Sequence, residues 1–495
     1  MKKKGLFIGI CAVVGVVALA TFVLCTNNLA KRENLGYYKQ ELYYNADEHV
    51  LEGKEVVGFY NYTDTVLTQG YLHLYPNAFR KGAKASVVSL ANRDKAYPNG
   101  ESYGEINIES VSMGENYLSH EISGVDENII IVDFGKELFP DEMLEFEIGF
   151  SVQLANVNHR LGYGDNTINL CNYYPIMCVY EDGGYVTDLY HSNGDPFYSI
   201  ISNYEVQITY PNQYTLASSG EQILEKNDTH TTATITAKNV RDFAMVLSTK
   251  FNHRVDSFEG IQINYMYYGD ESADLTVEVI KQVLDMNRRY GVYPYKTITV
   301  CEANFVHGGM EYPNLVLIAD NLADRDTYIN VVVHELCHQW WYGIVGNNQY
   351  AYGFLDEGLT DFNTALFYDK YPEYGLSSKQ IFAGAEKSYI NFCNIYGDVV
   401  SNFKTDMLRP LNKYATENEY VYLSYVKGML MFASLNDMLG EKTMTKCLKH
   451  YYNVYAFKEA SPNGLIEAFN KASGKNLTSF FNSWFDGEVV IDEFK

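Results

Sequence analysis

Positive charge is scarce in this sequence. Its 495 residues carry 38 Lys and Arg against 62 Asp and Glu, for a net charge of −24 and a sequence pI of about 4.8. Nucleic-acid binding needs a basic face, so no nucleic-acid partner is expected. Cysteine is sparse too. Beyond residue 25 only Cys171, Cys178, Cys301, Cys337, Cys393 and Cys447 occur, and none has zinc-ribbon spacing. Cys171 and Cys178 could pair; Cys337 reads as a small buried hydrophobe. Internal repeats and low-complexity segments are absent. Aromatics are abundant, at 15% with 44 Tyr, so a single tyrosine means little unless its neighbours add to it.

Charge is missing altogether from residues 5–25, a run long enough to cross a bilayer. Lys2, Lys3 and Lys4 before it favour a cytoplasmic start, a bias that Lys31 and Arg32 weaken without reversing. Ala18-Leu19-Ala20 resembles a signal-peptide cleavage site. The apolar run nevertheless continues through Thr21-Phe22-Val23-Leu24. The expectation is an uncleaved anchor at the cell membrane. Residues 1–4 lie inside, 26–35 form a stalk, and the rest faces outward.

What the sequence does have is His334-Glu335-Leu336-Cys337-His338, inside an apolar run that predicts a buried helix. Residues four apart share a helix face, so His334 and His338 can aim at one point, with Glu335 beside it. Two imidazoles on a metal next to a proton-accepting carboxylate is the HExxH arrangement of a zinc peptidase. The rival is a pair of core histidines with backbone partners. Two imidazoles leave a zinc ion short of ligands. Gly343, Gly346 and Asn347-Asn348 can end the helix, and Leu355, Leu359, Phe362 and Leu366 recur at helical spacing. The resulting helix–turn–helix can return Glu357 to the metal. Asp361, one turn on, is either a support for the ligands or part of a solvated face.

The chain is otherwise α+β. Residues 36–252 read as a β-rich domain, with strand signals at Leu72-His73-Leu74-Tyr75, Val206-Gln207-Ile208-Thr209-Tyr210 and Thr232-Ala233-Thr234-Ile235-Thr236. His73, His120, His159, His191 and His230 are scattered there and read as structural or exposed. Residues 253–495 open with a strand at 261–265 and a helix whose apolar face holds Leu275, Val279, Val283 and Met286. Strands at 297–300 and 315–318 follow. Between them lies Gly308-Gly309-Met310-Glu311-Tyr312-Pro313. Paired glycines allow close backbone approach, and an edge strand can pair with an extended peptide. Glu311 can then bind an ammonium group, or be a solvated residue of a glycine-rich turn. Tyr422 to Met438 predicts a helix with Tyr425, Gly428, Met429, Phe432 and Leu435 on one side; Ser461-Pro462 opens another.

In kind, order and spacing these pieces resemble the aminopeptidase N-like zinc metallopeptidases, a family of gluzincins. The resemblance rests on Gly308-Gly309-Met310-Glu311, His334 to His338, Trp340-Trp341, Asp356-Glu357-Gly358 and Tyr425-Val426-Lys427-Gly428. Leu72 to Asn77 and Gly194-Asp195-Pro196-Phe197-Tyr198 are similar to parts of the family's N-terminal domain. The resemblance implies an antiparallel β domain followed by a thermolysin-like catalytic domain with C-terminal helices. It implies one Zn²⁺ per chain on His334, His338 and Glu357, with Glu335 as general base and Tyr425 as hydroxyl donor to the oxyanion. Glu311 would hold the free α-amine of a peptide, and the backbone around Gly308, Gly309 and Met310 would line the substrate strand. Tyr312 stands where the family has Asn. No second acidic amine-binder is found in Asn172-Tyr173-Tyr174-Pro175-Ile176-Met177. The expected function is a membrane-anchored zinc aminopeptidase acting on peptides with a free N-terminus. The alternatives are an endopeptidase of the same fold, in which Glu311 has no task, or a decayed peptide-binding protein, against which the intact ligand set argues.

Overall fold

The computed structural model describes residues 34–489 and 491. The expected anchor lies outside the described residues. Among those described, no helix is long and apolar enough to cross a membrane.

The first half of the chain is almost all strand. Its main sheet uses β1 (Gly36–Asn45), β2 (Val50–Tyr60), β3 (Glu105–Met113), β4 (Met143–Gln153), β5 (Ser202–Pro211), β6 (Glu221–Lys226) and β7 (His230–Val240) in the order β6-β7-β5-β1-β2-β4-β3, with Asn116–Tyr117 at the far edge. The pairings are antiparallel except for β1 with β5, which run parallel. In β1 the alternation of Tyr38, Gln40, Leu42 and Tyr44 inward against Lys39, Glu41 and Tyr43 outward is the mark of a sheet with one covered face. Two four-stranded sheets pack with it.

The second half is built on a five-stranded sheet of β8 (Asn252–Phe258), β9 (Ile261–Tyr267), β10 (Thr297–Ala303), β11 (Gly309–Met310) and β12 (Leu315–Ala319), in the order β8-β9-β10-β12-β11. α1 (Ala273–Asn287) connects the parallel strands β9 and β10. Val279, Val283 and Met286 are buried in it as expected. Leu275 is instead 40% exposed, because Thr276 and Val277 turn inward at that end. Strands β10 and β12 are buried along their whole length. One face (Cys301, Ala303, Leu315, Leu317, Ala319) shares a core with the N-terminal domain, and the other (Ile298, Val300, Val316, Ile318) packs on helices. A doubly covered strand has no solvated face, which is why these segments read as continuous apolar runs.

The helical side comprises α2 (Arg325–Cys337), α3 (Glu357–Lys370), α4 (Ser378–Val399), α5 (Lys427–Leu439), α6 (Glu441–Tyr455), α7 (Pro462–Ser473) and α8 (Thr478–Phe485). α2 stops at Cys337, earlier than the glycines suggest; after it Val345–Asn347 pairs in parallel with Lys458–Ala460. The expected helix from Tyr422 is not uniform: Val421–Val426 is a π-turn leading into α5. Buried Arg241 fastens the two halves. It donates to the carbonyls of Ser199, Tyr342 and Lys458 and pairs with Glu459. Cys171 and Cys178 are both free thiols.

Candidate metal centre and substrate edge

α2 is started by Asp324, whose carboxylate accepts the Thr327 N–H at 2.8 Å. Ile329, Val332, Val333 and Leu336 commit one side of the helix to the core. His338 forms the helical C-cap, still in αR conformation, so the one-turn spacing to His334 is kept. The two Nε2 atoms lie 3.0 Å apart. Glu357 opens α3 and brings its Oε2 to 3.1 Å from His338 Nε2 and 3.3 Å from His334 Nε2.

The outer nitrogens of both rings are occupied. His334 Nδ1 meets Asp361 Oδ1 at 2.8 Å, so Asp361 is a support for a ligand and not part of a solvated face. His338 Nδ1 meets the Trp341 carbonyl and Thr360 Oγ1, each at 3.1 Å. Rings protonated on Nδ1 present lone pairs at Nε2. Three lone-pair donors then face one another, an arrangement that needs a cation at its centre. Ligands about 2.0–2.1 Å from a tetrahedral zinc ion lie roughly 3.3 Å apart, close to the spacing seen. The electrostatics agree. Burial works against charge on His338, but Glu357 and Glu311 overcome it and hold the ring up at about 10. Burial likewise opposes ionisation of Glu357, yet the two histidines keep it down at about 2. The cluster favours added positive charge, and its residues fit zinc.

Glu335 is buried beside this triangle. Burial pushes its carboxyl up to about 8; Glu311 and Glu357 add to the rise and the histidines oppose it. Its Oε2 has no hydrogen-bond partner. Gly309 lies against it: a Cβ there would sit 2.5 Å from Glu335 Cγ and Oε1, so only glycine fits. Gly308 is not crowded in this way, and its carbonyl accepts from Ala319 N–H. Gly309 and Met310 form the sheet's edge strand, bonded on one side to β12. Met310 is buried, with Arg160 Nε 3.3 Å from its sulfur. Glu311 follows, 3% exposed, its Oε1 accepting from Gln349 Nε2 at 2.8 Å.

Tyr425 reaches the triangle from the π-turn. Its hydroxyl donates to Glu357 Oε1 at 2.5 Å, and its ring lies nearly parallel to His334. Gly358 and Gly428 make this possible. A Cβ on either would fall 2.6–2.8 Å from the other's Cα, so α3 and α5 cross in backbone contact. Lys427 is buried and anchors the crossing by donating Nζ to the Trp484 and Thr405 carbonyls. Buried Tyr312 turns to the N-terminal domain, where its hydroxyl donates to Asn172 Oδ1 at 2.7 Å. In the same domain Arg160 pairs with Asp195, whose carboxyl burial pushes up to about 7 against the pull of Arg160.

The residues expected at the site thus lie together. Sequence reasoning missed Gln349 and gave no role to Asp356; the two meet at 2.8 Å beside Glu311. Asp356 had the signal of sitting next to Glu357; Gln349 had none.

Residues 272–484 match the model of the Peptidase family M1 domain. Leucine aminopeptidase 2-2 of Meyerozyma guilliermondii is 26% identical over 229 residues, covering 42% of this chain and 35% of that protein. Mitochondrial aminopeptidase 2 of Saccharomyces cerevisiae is 26% identical over 232 residues, covering 44% of this chain and 23% of that protein. The match therefore spans about a third or less of these relatives' length. Among solved structures, an M1 zinc metallopeptidase from Deinococcus radiodurans aligns with TM-score 0.65 and 14% identity over 93% of this chain and 96% of that one. A mutant of that peptidase bound to a Tyr-Ser-Ala substrate aligns with TM-score 0.65 and 13% identity over 92% and 95%. These neighbours share the expected α+β architecture of a β domain followed by a catalytic domain with helices. Residues 272–484 thus form a Peptidase family M1 domain, and the chain shares the fold of the solved M1 zinc metallopeptidases.

Proposed function

We propose that this chain is a zinc aminopeptidase that removes residues from the free N-terminus of peptides. The observation that carries the reading is that the zinc-fitting triangle of His334, His338 and Glu357 and the carboxylate of Glu311, at the end of an edge strand, share one buried site. Zinc, when bound there, supplies a Lewis acid that makes water a nucleophile near neutral pH. Glu335 takes the proton of the attacking water on its unpartnered Oε2 and delivers it to the leaving amine. Tyr425, one hydrogen bond from Glu357, redirects its hydroxyl to the developing oxyanion; such a donor is typically worth roughly 10² to 10³ in rate. The peptide adds as a strand along Gly308 to Met310, and Glu311 pairs with its ammonium, which fixes the first residue over the metal. Hydrolysis of aminoacyl and N-acetylated aminoacyl fluorogenic amides tests this. The free amine form is cleaved far faster, and a zinc chelator abolishes the rate. Equal rates on both forms would refute the aminopeptidase reading.

Residues 36–252 serve in this reading as the cover of the cleft and 253–495 as the catalytic part. Residues 5–25 anchor the enzyme in the cell membrane with the site outside. Support comes from the charge-free run and the lysines before it. Full-length protein then pelleting with membranes, while a chain beginning at residue 26 stays in the supernatant, is the expected outcome of fractionation.

A further inference from the structure

Glu311 is not alone at the end of its strand. Gln349, 1% exposed, donates Nε2 to Glu311 Oε1 and to Asp356 Oδ2, each at 2.8 Å. A nitrogen placed between two carboxylates uses both its protons there, which fixes the orientation of the amide. The other end of that amide, Oε1, is buried and has no partner. Asp356 is also buried and is held on its second oxygen by Asn347 Nδ2 at 2.9 Å. One oxygen each from Glu311 and Asp356 and one nitrogen of His338 lie within 4.8 Å of one another.

Charge decides what this arrangement is for. Glu335 and Glu357 face the metal site, and Asp195 has Arg160. Among the described residues neither Glu311 nor Asp356 has a lysine or arginine partner. His338, the nearest basic group, is neutral when it serves as a metal ligand, which leaves this buried pair without a counterion and suited to a cation that arrives with the substrate. An ammonium group offers three donors. Two carboxylates and one free amide carbonyl offer three acceptors.

We propose that Gln349 and Asp356 complete, with Glu311, the pocket for the peptide's α-ammonium. This rests on the aminopeptidase reading above. The second anchor then comes from the segment joining the two ligand helices and not from the N-terminal domain, where Asn172 is engaged with Tyr312.

The test uses the full zinc-loaded protein carrying Gln349→Met, which removes the amide at similar bulk, or Asp356→Asn. KM and kcat are measured on an aminoacyl amide and its N-acetylated form. Binding of a dipeptide and its desamino analogue to the zinc-free protein is measured by calorimetry. Gln349→Met is expected to raise KM for the free amine about 10- to 100-fold, the worth of one hydrogen bond to a charged group, with kcat and zinc content largely kept. Calorimetry should show that loss for the dipeptide and none for the desamino analogue. Equal weakening of both ligands, or unchanged KM, would overturn the proposal. If Asp356→Asn does not fold, Gln349→Met still decides. A wild-type enzyme indifferent to N-acetylation would sink the aminopeptidase reading itself. A wild type that discriminates, with variants that discriminate equally well, would sink only the present inference.

Discussion

Glu335 and Gly309 explain each other. The carboxylate can stand beside the metal triangle because the strand passing it has no side chain at that point. Replacing Glu335 by Gln keeps the shape and removes the proposed proton acceptor. Its hydrolysis rate should fall roughly 10²- to 10⁴-fold with zinc content unchanged, as read by steady-state kinetics beside metal analysis. Asp361 acts at one remove, through the ring it orients. Asp361→Ala should lower zinc affinity about 10- to 100-fold in competition with a chelating dye; undiminished affinity would show that His334 needs no such support. These two positions also mark how far residue-level reading goes. The ligand spacing was legible because helix geometry alone sets it. The task of Asp361 was not, since a carboxylate one turn past a ligand reads equally well as surface until the opposite helix is in view. Gln349 gave no sign at all, because its two partners, Glu311 and Asp356, come from separate segments.

At the level of elements, the crossing of α3 and α5 at Gly358 and Gly428 sets the distance between Glu357 and Tyr425. Gly428→Ala would place a methyl group 2.8 Å from Gly358 Cα unless the helices part. Overpacking of this kind costs about 1–3 kcal/mol, to be seen as a lowered denaturation midpoint. The rate should fall as well, since the Tyr425 hydroxyl is carried away from the site. The motif containing Tyr425 and Gly428 was visible in the sequence, but the π-turn that delivers the tyrosine was not. Such a turn leaves the apolar period almost unchanged and shows only in backbone hydrogen bonding. Strand β11 was legible only as a place: Glu311 between a glycine pair and a proline pointed to a sheet edge, and the edge is where the strand before it lies.

At the scale of the molecule, the N-terminal sheet carries a titratable group with no part in the chemistry. Glu55 is fully buried, accepts from Gln40 Nε2 at 3.1 Å and leaves Oε1 without a partner. Burial holds its carboxyl well above the ordinary value, with only the Gln40 bond opposing. The folded protein therefore keeps a proton that the unfolded chain releases above about pH 4.5. Stability falls as pH rises from that point toward the folded-state value. Glu55→Gln should flatten this fall and melt higher than wild type at pH 8, with the two nearly equal at pH 4 and hydrolysis unaffected. Melting curves at both pH values check it.

The central sheet of the second half is clasped on both faces, by the β domain on one side and by helices on the other, and Arg241 ties the two sides across the seam. Severing one exposed peptide bond should not part such a body. A nick after Lys250 ought to leave two fragments that migrate as one species on a sizing column and come apart only in denaturant.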